Sequence, residues 1–179
     1  SGLTVSQYQD YAKTFLFFRN KKQLDAQVVL PEVFSVEEFL NLKREFASLG
    51  IYSKGSLKLW KQFNNIADFL NLEEYIDVGF DGAIIDLDKI AKIVIGVDVD
   101  VVLKDTQIDW LVALEKFFKT LGLSKIIKAN KQVLITGKLI QNEELLNYFI
   151  KSGVWAVAFE NNESAKLREV PFGLNQYGE

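Results

Sequence analysis

The run Gly82-Ala83-Ile84-Ile85, stopped by Asp86-Leu87-Asp88-Lys89, constrains the fold of this chain more than any other stretch. Small and apolar residues without a polar interruption suit a strand covered on both faces. Parallel sheets meet that condition, because their crossover helices pack against the sheet. A helix-like segment follows directly. Polar residues at the C-terminal end of such a strand lie where α/β proteins bind ligands, since the loops there face the open end of the sheet or barrel. Asp86, Asp88 and Lys89 are therefore candidate ligand-binding residues. Asp86 and Asp88, alternating on a strand end, could share one face as a two-carboxylate cation site with Asp98 or Asp100 nearby.

The same strand–helix unit recurs along the chain. Residues 27–30 read as a first strand ending at Pro31-Glu32. Ser35-Val36-Glu37-Glu38 then fits a capping box, in which the Ser side chain accepts from a first-turn N–H while Glu38 reaches back. Phe39, Leu42, Phe46 and Leu49 form the buried face of that helix, and Gly50 closes it. Residues 52–56 read as a loop and 57–61 as a second strand. Asn64-Asn65 leads into a helix near 66–75. Residues 98–101 read as loop or extended chain. Thr106 and Asp109 open a helix with Trp110, Leu114, Phe117, Phe118 and Leu121 on one side, ended by Gly122. A fourth strand at 132–135 stops at Thr136-Gly137-Lys138, which puts Lys138 and Thr136 among the candidate anion-binding residues. Asn142 caps a helix with Leu145, Leu146, Phe149 and Ile150 inward, and Gly153 ends it. Residues 155–159 make a fifth strand and 163–170 a last short helix. Trp60 and Trp155 are expected in the core, and the Lys125, Lys128, Lys131 run on a solvated helix edge.

The alternation predicts an α/β protein with about five parallel strands, either an open doubly wound sheet or part of a (β/α)8 barrel. The 179 residues are expected to form one domain: an N-terminal helix within 1–23, an α/β core over 24–170 and a loose tail at 171–179. The N-terminal helix carries Tyr8, Tyr11, Phe15 and Phe18 on one face. Neither a GxGxxG nor a GxxxxGKS phosphate loop is present.

Composition narrows the chemistry. The chain has neither Cys nor His, so thiolate nucleophiles, zinc–thiolate sites and imidazole bases are excluded. A net charge of −3 supplies no electrostatic footprint for nucleic acid or an acidic membrane. No apolar run reaches the ~20 residues of a bilayer span, and no signal peptide is evident. A cytoplasmic setting is the expectation.

Several segments resemble a known family. Residues 28–38 (VVLPEVFSVEE) are similar to the strand of PEP-utilising phosphotransferases that ends in Pro-Phe-Val-Arg-Thr before a Val-Glu-Glu helix. Residues 81–90 and 96–100 align without a gap to that family's Asp-Gly-Phe-Ser-Ile-Gly-Ser-Asn-Asp-Leu and Gly-x-Asp-Arg-Asp. Ile135-Thr136-Gly137-Lys138 stands where the family has Ile-Cys-Gly-Glu or Gln, and residues 151–159 resemble its final strand. The chain thus resembles, over most of 24–170, the C-terminal phosphoenolpyruvate/pyruvate-binding barrel of these enzymes, the phosphoenolpyruvate synthases (pyruvate, water dikinases) in particular.

The resemblance implies a partial (β/α)8 barrel in which the chemistry has been exchanged. The family's substrate-binding Arg falls on Phe34. Its metal-binding Glu falls within 62–65, here from Gln62 to Asn65 without a carboxylate. Its Asn–Asp pair falls on Asp88 and Lys89, its second Arg on Val99, and its catalytic Cys on Thr136. Mg²⁺ wants several hard oxygens and an enolpyruvate dianion wants Arg or metal neutralisation. The resemblance therefore implies a pseudoenzyme with a structural, regulatory or interaction role, without a cofactor. Its expected partners are a second copy or another domain of a longer protein, through unpaired sheet edges. The alternative it leaves open is an active domain binding phosphoenolpyruvate or pyruvate with Mg²⁺, with Asp86, Asp88, Lys89 and Lys138 in place of the usual residues.

Overall fold

A computed structural model of the chain describes residue 10 and residues 13–17, 27–53, 57–102 and 109–158. Five strands form one sheet: β1 (Gln27–Val29), β2 (Lys58–Phe63), β3 (Gly82–Asp86), β4 (Gln132–Thr136) and β5 (Ala156–Ala158). Every neighbouring pair is parallel, and the spatial order β1-β2-β3-β4-β5 follows the chain. Helices fill each crossover. They are α1 (Val36–Ser48), α2 (Ile66–Leu70) with α3 (Leu72–Val78), then α4 (Leu87–Ile95), α5 (Val99–Val102), α6 (Trp110–Leu121) and α7 (Leu123–Lys128). A 3₁₀ turn (Lys138–Gln141) and α8 (Glu143–Ser152) complete the last one.

The strand order decides between the two expected architectures. A doubly wound sheet reverses its order at a switch point, which sends helices to both faces. Here the order never reverses, so crossovers of one hand stack on one face, as for consecutive strands of a barrel. Burial follows that layout. Val28, Leu59, Phe63, Ala83, Ile85, Val133 and Ile135 share one parity and are buried in the core beneath the helices. Gln62, Ile84 and Leu134 share the other, stand level with one another, and are only half-buried.

Local chemistry explains where the elements start and stop. Ser35 caps α1 through the Glu38 N–H, and the Glu38 carboxylate accepts from the Phe34 N–H at 2.8 Å, one residue before the cap. Asn65 caps α2 in a reciprocal box with Asp68. The helix expected over 66–75 is instead two, broken at Asn71, which ends α2 and begins α3. Residues 98–101, expected as loop or extended chain, instead lead into α5 from Val99 onward, held down by buried Val99 and Val102.

Two apolar residues expected inside are exposed. Ile150 is 45% exposed and Trp155 50% exposed, the latter with its ring edge-on to fully buried Trp60 at 5.4 Å. Trp60 lies flat across Gly82, where an added Cβ would come within 2.4 Å of the indole. Glycine at 82 is thus a packing requirement. Phe15 packs against the core. Tyr8, Tyr11, Phe18, residues 54–56, Thr106, Phe159, the expected helix at 163–170 and the tail at 171–179 lie outside the described residues.

Among the described residues the core contains one charged pair. Lys61 has the parity of Leu59 and Phe63, so it points under the helices, where it is 1% exposed. Its ammonium meets Asp68 Oδ1 at 2.7 Å and lies 4.1 Å from the Tyr75 ring centre and 4.8 Å from that of Phe63. The other Asp68 oxygen accepts the Asn64 and Asn65 N–H groups. Burial pulls the Lys61 pKa below its ordinary value and pushes that of Asp68 above its own, in each case against the attraction of the partner. Burial, with the Asp68 charge adding to it, pushes the Tyr75 phenol up to about 12. Removing one partner of such a pair strands the other charge, which costs about 3–5 kcal/mol. Lys61→Met is therefore expected to lose that much stability in urea unfolding. Lys61→Met with Asp68→Asn, which keeps an acceptor but no charge, is expected to recover part of it. A loss below about 1 kcal/mol for the single variant would contradict the pair's place in the core.

Candidate functional site

Parallel pairing brings the C-terminal ends of all five strands to one end of the sheet. Around the ends of β3, β4 and β5 lies a cleft of about 540 Å³. It gathers Asp86, Asp88, Lys89, Asp98, Val99, Asp100, Thr136 and Lys138, which the sequence singled out, together with Lys92. Phe34, 67% exposed, and Gln62 are not part of its lining.

Asp86 and Asp88 do not alternate on a strand end as expected. Asp86 is the last residue of β3 and the N-cap of α4, whereas Asp88 already lies in the first helical turn. Their side chains have separate tasks. Asp86 Oδ1 accepts the Asp88 and Lys89 N–H groups at 3.1 and 3.2 Å, satisfying donors that a helix start leaves without partners. Asp88 reaches across to the turn after β4, where its two oxygens accept the Lys138 N–H at 2.8 Å and the Leu139 N–H at 3.0 Å. Gly137, which leads from β4 into that turn, has φ +117°, and an added Cβ there would stand 2.8 Å from Asp88 Oδ1. Only glycine lets the β4 turn come this close.

The ammonium groups are paired as well. Lys89 faces Glu32 at 3.6 Å, Lys92 faces Asp98 at 2.7 Å, and Lys138 faces Asp100 at 3.3 Å. Three lysines against four aspartates leave the lining with a net formal charge of −1. Among the described residues no group of three or more Asp, Glu, His or Cys is placed to hold a metal ion. Thr136 Oγ1 turns back to the Ile85 carbonyl at 3.4 Å.

At the ends of β1 and β2 the polar groups are cross-linked instead. The Gln62 amide donates to the Leu30 carbonyl at 3.0 Å and accepts from the Asn64 amide at 3.2 Å, while Asn64 Oδ1 accepts the Asp86 N–H at 3.4 Å. This ladder ties three strand ends together. Asn64 carried a signal only as a turn residue in the sequence, and its burial was not legible there. Lys92 was not singled out in the sequence; Gly96 ends α4 in a left-handed conformation and turns the chain back, which brings Asp98 to it.

Among the described residues no helix is long and apolar enough to cross a membrane. No protein-family model matches the chain, and no curated protein matches it. Among solved structures, a pyruvate kinase from Cryptosporidium parvum is similar to it with a TM-score of 0.46 and 15% identity. The similarity covers 83% of this chain and 29% of the pyruvate kinase, so the chain spans less than a third of that protein's length. A likeness at this level decides neither activity nor ligand.

Proposed function

We propose that the chain is a catalytically silent module built like the barrel segment of a PEP-utilising phosphotransferase, with a structural or interaction role. One observation carries this. Every carboxylate and ammonium in the cleft is engaged within the chain: Asp86 and Asp88 by backbone N–H groups, the lysines by Glu32, Asp98 and Asp100. A phosphoenolpyruvate trianion would enter a lining of net charge −1, and like-charge repulsion opposes it. Magnesium here would compete with the part-buried N–H groups that Asp86 Oδ1 and both Asp88 oxygens accept, and each one left unpaired costs about 1–3 kcal/mol. Phe34, Gln62, Val99 and Thr136 supply no charge where the resemblance would need it.

The interaction role is supported by the sheet. β1 and β5 each have a neighbour on one side only among the described residues, and a free parallel edge is a template for another strand. The partner we propose is a second copy or another domain of a longer protein.

Thermal unfolding with and without millimolar Mg²⁺ plus phosphoenolpyruvate, or plus pyruvate, tests the first part. A ligand at 100 times its Kd adds ~2.7 kcal/mol of stability, so the expected result is an unchanged melting temperature and no turnover. A shift of several degrees together with consumption of phosphoenolpyruvate would establish the active alternative, with Asp86, Asp88, Lys89 and Lys138 as its ligands. Light scattering tests the second part. Mass above that of one chain, rising with concentration, is expected; a strict monomer at all concentrations would remove self-association.

A further inference from the structure

We propose that Asp98 and Asp100 act as an internal ligand: they occupy Lys92 and Lys138 in the cleft and exclude small oxyanions from it. The proposal rests on the silent reading above and gives that silence a cause within the chain. Two carboxylates from one short segment bridge two ammonium groups on different elements. Lys92 lies on α4 and Lys138 in the turn after β4, and the segment 98–100 spans from one to the other. The carboxylate oxygens stand 2.7 and 3.3 Å from the two Nζ atoms, the distances at which an incoming oxyanion would be held.

Stability does not account for this arrangement. The Asp98 and Asp100 side chains are 68% and 71% exposed, and their lysine partners 64% and 41%. Ion pairs this exposed contribute little to folding. The segment is anchored independently by Val99 and Val102, which are buried. The aspartates can therefore be neutralised without undocking α5. Without them the lining passes from a net charge of −1 to +1, with both lysines facing the cleft.

Isothermal titration of inorganic phosphate at low ionic strength, into the full chain and its Asp98→Asn/Asp100→Asn variant, tests this. Two carboxylates within a few ångströms of a bound dianion are worth at least about tenfold in affinity. The variant is expected to bind phosphate at least that much more tightly than the parent, with affinity falling as salt is raised. Adding Lys92→Gln and Lys138→Gln is expected to abolish the gain. Equal affinity in parent and variant overturns the proposal, and so does a gain that survives loss of the lysines. Circular dichroism checks folding. Should the double variant fail to fold, Asp98→Asn alone, which removes the carboxylate facing Lys92, is held to the same comparison. Unchanged phosphate affinity leaves the silent reading standing, whereas phosphoenolpyruvate turnover by the parent defeats that reading and not the comparison of affinities.

Discussion

The Asp88 carboxylate is the contact on which the cleft end of this molecule depends. It sits in the first turn of α4, yet both oxygens are given to the backbone of the turn after β4, 50 and 51 residues away. That contact locks two consecutive strand–helix units at a fixed height. It also requires the bare backbone of Gly137, because a side chain there would collide with the carboxylate. Asp86, two residues earlier, satisfies the start of the same helix. A pair of acids at a strand end, which on paper suggests a cation site, is here a brace and a cap.

The same trade between function and structure runs through the rest of the strand ends. Gln62 and Asn64 spend their amides on linking β1, β2 and β3. Lys89, Lys92 and Lys138 spend their charges on carboxylates of the chain itself. Each contact is modest alone. Together they tie the ammonium and amide groups of the described strand ends to partners within the chain. The parallel order supplies the architecture of a ligand site, and the residues at its rim use that architecture to hold the domain together.

Periodicity made the scaffold legible. The apolar run at 82–85 named β3, the glycines at 50, 122 and 153 named helix ends, and the segment spacing named parallel crossovers. Boundaries within a residue or two follow from caps such as Ser35, Asn65 and Asn142, whose side chains accept from the first turn. What escaped was set by tertiary contact. Lys61 carried no signal of its own in the sequence. Parity with Leu59 and Phe63 placed it inside, but its partner Asp68 could be identified only once α2 was packed on the sheet. Trp155 looked like core because it is large and apolar, yet it is half exposed beside the buried ring of Trp60. The cleft residues were legible as a set, since strand ends converge in any parallel sheet. Their engagement with one another was not, because hydrogen bonds across 50 residues leave no mark on local pattern.

The most direct measurement of whether the strand-end groups are committed is an amide NMR spectrum recorded as Mn²⁺ is added. Paramagnetic broadening falls steeply with distance, so the N–H groups nearest a bound Mn²⁺ lose intensity first. If Asp86 and Asp88 are held by backbone donors, the Lys89, Lys138 and Leu139 amides keep their intensity at sub-stoichiometric metal. Selective loss of those three signals, ahead of amides beside other surface carboxylates, would show a cation site at the ends of β3 and β4 and contradict the account.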